Sequence, residues 1–469
     1  MMKKLLSVLL AAVMVATLLA GCDSDSNGGT SGGTTGGSTG GSDDPVAITE
    51  VVELRVLNYY DMSAAGALEE QSVIWEAFEA ANPNIKIIRE DEFEESFHDS
   101  VNAYAAAGAL PDVMYAWPSG RSTTLHSQGL LKDLTPLINR DGLASKYIAL
   151  ATDPSQQIAG YQGIIPQGVT ATNMFIANLE VLNAVGLTPA TTYSEMVAQV
   201  PVLRDAGYDT VIMPNMASWV MQSCLYSLIV GRFMGDGWHE RVLNGETNFT
   251  DPAFIASLAF VQQMYEDGVI PASSLAIDYG EGPGLFATNT GAYYIDGDWR
   301  VGAFLTDSTT GEALISPDRQ DNFVIGVFPE IDLPGVAIPG RTNSAVLGTG
   351  WGINANLADG SPELEAAWTL VKWLVGLEVQ TFRLRTGGIS TPSIVGIDYG
   401  ALPLEPLQVS LAGLGAKYDV ATVVVDGAFA STVYEPLNEQ LQALGLGITT
   451  PEAVAEIIQA AFEAWQATQ

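Results

Sequence analysis

The chain has 469 residues, with 54 Asp and Glu against 19 Lys and Arg and a formal net charge of −35. Hydrophobic residues make up 47% of it, enough for large cores, so disorder along the whole length is excluded, and the length suggests two or three domains. The acidic balance argues against nucleic acid, whose phosphates need a basic face, and against docking on an anionic membrane surface.

In chain order, Lys3 and Lys4 precede an uncharged apolar run over 5–20, shorter than a spanning helix needs and placed as a signal peptide would be. The run ends in Leu18-Leu19-Ala20-Gly21-Cys22. This resembles the lipobox of bacterial lipoproteins, whose cysteine is acylated and becomes the new N-terminus. The resemblance implies a signal peptide over 1–22 and a lipid-attachment site at Cys22. Asp23 beside it resembles the signal for staying on the outer face of the cytoplasmic membrane. Residues 23–45 are rich in Gly, Ser and Thr and predict a flexible tether. Its end-to-end distance would be roughly 25 Å, at about 5–6 Å times the square root of its length. Cys22 and Cys224 are too few for a disulfide framework. Cys224 lies in an apolar stretch and reads as a small buried hydrophobe.

From residue 53 onward, short apolar runs alternate with helical patterns. Residues 54–57 predict a strand, 67–81 a helix with Ile74, Phe78 and Ala81 on one face, and 85–88 a second strand. A helix over 93–107 stops at Gly108, and 113–115 predict a third strand. This β-α-β-α-β order predicts an α/β fold, a parallel sheet with helices on both faces. The stretch 213–230 is apolar but interrupted by Pro214, Asn215, Ser218, Gln222 and Ser223, so it is not read as a membrane span. Thr192 and Glu195 open a helix over 192–206 as a capping box. Asp251-Pro252 opens one that runs to Gly268. Strands follow at 292–295 and 323–328. Ser361-Pro362 starts a long helix through 384, and Thr450-Pro451 a terminal one.

The order of motifs resembles the bacterial extracellular solute-binding proteins of the sugar-binding class, the receptors of ABC importers. Phe78-Glu79-Ala80-Ala81-Asn82-Pro83 resembles the family's stretch before its second strand, and Ala107-Gly108-Ala109-Leu110-Pro111-Asp112-Val113 its "aaG-x-x-PDv" segment. Gly129-Leu130-Leu131-Lys132-Asp133-Leu134 follows at the expected distance. Ala184-Val185-Gly186-Leu187-Thr188-Pro189 with Thr192-Tyr193-Ser194-Glu195 resembles "aGl-x-pP-x-TWdEl". Gly291-Ala292-Tyr293-Tyr294-Ile295-Asp296-Gly297-Asp298-Trp299 resembles "G-x-aaM-x-x-G-x-W". The run from Ala366-Ala367-Trp368 to Gln380 resembles the family's late helix. One departure is Ala177-Asn178-Leu179, where the family often carries an aromatic residue.

The resemblance implies a two-lobed periplasmic-binding-protein-like fold of the class II type, with a ligand cleft between lobes. Residues 46–168 with about 320–350 would form the N-terminal lobe, and 169–319 with about 351–469 the C-terminal lobe. It further implies a monomer that captures a carbohydrate, a mono- or oligosaccharide, and delivers it to the permease subunits of an ABC transporter. No cofactor and no nucleic acid are expected, and the membrane is reached through the N-terminal lipid alone.

Sugars offer apolar C–H faces and a ring of hydroxyls, so a site for them needs aromatic platforms beside carboxylates, amides or arginines. Tyr60 and Asp61 follow the first strand, and Trp117 and Arg121 the third. Trp219 lies after Pro214-Asn215, Asp298 and Trp299 close the "G-x-W" motif, Trp351 sits in the glycine-rich Gly348-Thr349-Gly350-Trp351-Gly352, and Tyr434 comes late. These nine residues are the expected ligand contacts. Gly297 suggests a tight turn that exposes the side chains after it. Trp75, Trp368 and Trp373 fall within helix patterns and read as structural. Enzyme chemistry has little footing. His98, His126 and His239 lack metal spacing, and no Gly-x-Ser-x-Gly elbow occurs. A glycosidase needs only two carboxylates, so a lipid-anchored extracellular glycan hydrolase is one alternative. A binder of a polyol, peptide or glycerophosphodiester is another.

Overall fold

The computed structural model describes residues 45–62, 64 and 66–468. The expected signal peptide, Cys22 and the tether up to residue 44 lie outside the described residues.

Strand β1 (Val52–Tyr59) begins with Val52, Leu54 and Val56 buried and Glu53 and Arg55 exposed, the period-2 alternation of a strand, and Leu57 beyond them is buried on the opposite face. It pairs in parallel with β2 (Ile85–Glu92) on one side and β3 (Val113–Ala116) on the other. Between β1 and β2, the predicted helix runs from Ala67 to Ala81, with a wider-wound stretch over Gln71–Glu76. Ile74 and Phe78 are fully buried as its spacing predicts, whereas Ala81 in the last turn is exposed. Helix Glu95–Ala107 stops at Gly108, whose φ of 62° is the left-handed cap that glycine adopts without penalty.

The chain adds β4 (Ile164–Pro166) to this first sheet, leaves it through β5 (Gly168–Ala171) and enters a second sheet at β6 (Met174–Asn178). That sheet is completed by β7 (Asp209–Ile212), β8 (Gly291–Asp296) and β9 (Phe323–Gly326). The chain returns through β10 (Thr342–Leu347) to β11 (Gly350–Ile353), which inserts between β3 and β4. Two short strands, β12 (Thr391–Pro392) and β13 (Val420–Thr422), flank β5 and β10 to give a third, hinge-like sheet of order β12-β5-β10-β13. The first sheet has order β2-β1-β3-β11-β4 and the second β7-β8-β6-β9. Both are mixed: β11 runs antiparallel to β3 and β4, and β6 antiparallel to β8 and β9.

The lobe segments differ from the expected ones. Residues 323–326 pair with β6 and so belong to the second lobe. Residues 350–353 lie in the first sheet, and helices Pro362–Leu374 and Leu377–Arg385 supply Trp368, Leu370 and Phe382 to the core on its face. The reason is the position of the second crossing. The chain stays in the second lobe through β9 and changes over at β10, so everything between β10 and β12 returns to the first lobe.

The first and second sheets are each covered on both faces. One face of the first sheet carries Ile74, Trp75, Phe78, Trp351 and Trp368, and the other Leu57, Phe97, Met114 and Leu125. In the second lobe the stretch read as too polar to span a membrane forms the helical run Ser218–Met234, with Cys224, Leu228 and Ile229 fully buried in the core. Among the described residues no helix is long and apolar enough to cross a membrane. Thr192 caps helix Tyr193–Asp205 by accepting from the Glu195 backbone N–H, Asp251 caps Pro252–Glu266, and Thr450 caps the terminal helix Pro451–Gln466.

Candidate functional site

In the first lobe β1, β2 and β3 run parallel and end at one edge, so the segments that leave them converge there, the usual place for a ligand in an open α/β sheet. Facing them are the segments after β7 and β8 of the second lobe and the hinge strands β5 and β10. Together they enclose a cavity of about 230 Å³.

The first-lobe wall is aromatic. Tyr59 stacks on Tyr115 with ring centroids 5.6 Å apart, and Trp117 meets both edge-on at 5.4 Å. His98 lies 4.8 Å from the Trp117 ring. Burial, with the Arg121 charge adding to it, pulls the imidazole down to about 3, so His98 is a neutral packing group at physiological pH. Tyr60 lines the cavity, but its hydroxyl is engaged, donating to the Ala67 carbonyl at 2.6 Å.

The second-lobe wall is a cluster of three rings. Trp219 lies 5.0 Å from Tyr279 and 6.2 Å from Trp299, and the Trp299 indole N–H donates to the Tyr279 hydroxyl at 2.7 Å. Trp299 is half-buried and lines the cavity. Gly297 differs from the sequence expectation. Its φ is −77° and its ψ 163°, an extended conformation open to any residue. What requires glycine is space: a Cβ there would stand 2.1 Å from Cη2 of Trp299, so the indole lies over the bare Cα.

Charges join the two lobes. Asp61 and Arg300 form an ion pair at 3.0 Å. Arg300 is fixed from its own side, with its guanidinium 4.4 Å from the Tyr279 ring centroid and an Nη donating to the Tyr279 carbonyl at 2.9 Å. Arg121 pairs with Glu95 at 3.1 Å and with Asp426 of the second lobe at 3.5 Å. It lies over both Trp117 and Trp219, at 5.8 and 5.7 Å. Asp298 is buried, accepts the Ala171 backbone N–H at 2.9 Å and is hydrogen-bonded to the Ser390 hydroxyl. It ties the end of β8 to the hinge strand β5, and burial pushes its carboxyl up to about 6.

Seven of the nine expected contacts therefore line one cavity: Tyr60, Asp61, Trp117, Arg121, Trp219, Asp298 and Trp299. The other two do not reach it. Trp351 is fully buried in mid-β11, edge-on to Trp75 at 6.0 Å and to Tyr115 at 5.3 Å, because its side chain joins the core that carries Trp75 and Trp368. Tyr434 is buried in the second-lobe core on helix Ser431–Gly445. Tyr115, Tyr279 and Glu94 are among the cavity residues that lay outside the expected set. Tyr115 and Trp117 follow Val113 at a spacing of two, so strand alternation carries the signal for Tyr115. Tyr279 lies in an irregular segment and Glu94 just after a strand, where no pattern marks them. Among the described residues no group of His, Cys, Asp and Glu is arranged to hold a metal ion.

A family model of the bacterial extracellular solute-binding proteins matches residues 65–381. No curated protein matches the sequence. Solved structures share the two-lobed fold. A chitin oligosaccharide binding protein has a TM-score of 0.75 at 21% identity, covering 89% of this chain and 99% of its own. A protein from a study of xylan utilization by Caldanaerobius polysaccharolyticus has 0.75 at 18%, covering 87% and 99%. The maltose/maltodextrin-binding domain MalE from Bdellovibrio bacteriovorus, bound to maltotriose, has 0.67 at 20%, covering 89% and 100%.

Proposed function

The chain belongs to the bacterial extracellular solute-binding proteins, and on that premise we propose that it captures a carbohydrate between its lobes and delivers it to the permease of an ABC importer. The observation that carries the reading is the pairing of aromatic walls across one cavity, Trp117 with Tyr59 and Tyr115 on one side and Trp219 with Trp299 on the other. Apolar sugar faces stack on such rings, and the polar groups between them meet the hydroxyls. The size fits a short ligand. At about 10–15 Å³ of such space per water, the cavity of about 230 Å³ holds on the order of fifteen to twenty-three waters, room for a small sugar. The likeness to proteins named for chitin oligosaccharide and maltotriose supports the class and leaves the sugar open.

The reading is of a binder without turnover. Thermal shift against mono- and disaccharides tests it: a true ligand at 100 times its Kd adds about 2.7 kcal/mol of stability, and mass spectrometry should then recover it intact. No shift with any sugar, or a cleaved glycosidic bond, defeats the reading. The lipobox resemblance supports attachment to the membrane through Cys22. Fractionation checks that, since Cys22→Ala should move the protein out of the membrane fraction of its host.

A further inference from the structure

We propose that Glu94 selects the ligand by charge, so that the cavity takes neutral or amine-bearing sugars and rejects those carrying a carboxylate or phosphate. The inference rests on the carbohydrate reading and adds a ligand class to it. Six carboxylates line the cavity, those of Asp61, Glu70, Glu94, Glu95, Asp298 and Asp426, against the guanidiniums of Arg121 and Arg383. Five of the six are engaged. Arg121 holds Glu95 and Asp426, Arg383 holds Glu70 at 3.3 Å, and Arg300 behind the wall holds Asp61. Asp298 is turned to the Ala171 N–H and the Ser390 hydroxyl. The Glu94 carboxylate has neither an ion pair nor a hydrogen bond among the described residues.

Nor is a cation to spare nearby. The charged groups that face Glu94 are Asp278, Asp61 and Glu95, with Arg300 the opposing charge, and Arg300 is already paired with Asp61. Burial, with Asp278 and Asp61 after it, raises the proton affinity of Glu94, as an under-compensated carboxylate requires. The backbone at Glu94 has φ 55° and ψ −140°, a conformation that L residues rarely adopt and that persists where the surroundings impose it. A hydroxyl or an ammonium supplies the donor that this carboxylate lacks, and the charged donor makes the stronger bond. A ligand anion would instead meet like charge in a partly water-excluded space, where repulsion is several times stronger than in bulk water.

Calorimetry on the full chain tests this with maltose and cellobiose, each beside its 2-amino-2-deoxy and its uronate analogue. Wild type should bind uronates at least about tenfold more weakly than amino sugars, and Glu94→Gln should shrink that ratio by about tenfold. Glu94→Gly removes the carboxylate and releases the strained backbone, so it should melt above wild type while losing the same selectivity. An amino-to-uronate ratio unchanged in both variants overturns the inference and leaves the carbohydrate reading standing. If wild type binds none of the six, the same comparison is made on the sugar found by thermal shift, and no shift with any sugar overturns both.

Discussion

Trp299 shows how a side chain is aimed by its neighbours. Gly297 leaves room beneath the indole, and the Tyr279 hydroxyl fixes its N–H, so one ring edge is spent on the protein and the rest of the ring borders the cavity. Cut to alanine, it removes a platform whose loss costs at least about 2 kcal/mol, or roughly thirtyfold in affinity for the sugar that wild type binds. A fully buried tryptophan would instead cost about 3–5 kcal/mol of folding stability. Because Trp299 is half-buried, titration calorimetry of Trp299→Ala should show the affinity loss with a melting point only a few degrees lower. A steep fall in melting point with binding retained would make the residue core. The sequence separated such cases unevenly. A tryptophan after a strand-terminating glycine was legible as a cavity residue, whereas Trp351, also among glycines, was not legible as core. The glycines around it serve close backbone approach: a Cβ at Gly350 would lie 2.0 Å from the Ile165 carbonyl oxygen. Glycine-rich composition looks the same in both settings.

At the scale of elements, the hinge sheet is where sequence reasoning had least to work on. Strands β5, β12 and β13 are two to four residues long and carry no periodic run. The long helices and β1 to β3 had strong periodicity, and they appear where expected, except that the single helix expected from Ser361 through 384 breaks at Val375-Gly376 into Pro362–Leu374 and Leu377–Arg385. The lobe assignment failed for a topological reason, since each hinge crossing reverses the assignment of all that follows it. Asp298 makes the hinge testable. Its carboxyl binds a proton more tightly when folded, at about 6, than at its ordinary value of 3.8, because burial disfavours the charge. The folded state therefore holds more protons between those values, and stability falls as pH rises from about 4 to about 6. At roughly 1.4 kcal/mol per pH unit, the drop attributable to this one group is about 3 kcal/mol. Asp298→Asn keeps an acceptor for the Ala171 N–H and does not titrate. Denaturant unfolding of both proteins across pH 3.5–8 should give a difference curve that climbs in favour of the variant over that interval and is flat above pH 7. A flat difference at every pH would mean that Asp298 is solvated in the folded protein.

For the whole molecule, the contacts that span the cavity define the state that the structure represents. Besides Asp61–Arg300 and Arg121–Asp426, the Gly66 backbone N–H donates to Asp307 at 3.2 Å, and Ser308 is hydrogen-bonded to Glu69. All join segments of the first lobe to segments of the second, as in a closed clamp. A ligand that touches both walls stabilises this arrangement over an open one, by as much as its affinities for the two differ. The Asp61–Arg300 pair is the contact to remove, because Arg300 stays anchored on Tyr279 whether or not Asp61 is near. Opening thus separates the pair without freeing the cation into an apolar wall. Asp61→Asn withdraws closure energy on the order of 1.4 kcal/mol, so the apparent Kd should rise about tenfold. Small-angle scattering gives the matching structural readout. Ligand should shrink the radius of gyration of wild type, and the variant should reach the same compact value only at about ten times the ligand concentration. If the variant binds as tightly as wild type and compacts at the same concentration, the pair contributes nothing to closure. If wild type scatters identically with and without saturating sugar, the lobes are closed before the ligand arrives, and the cavity is filled through its mouth without any hinge motion.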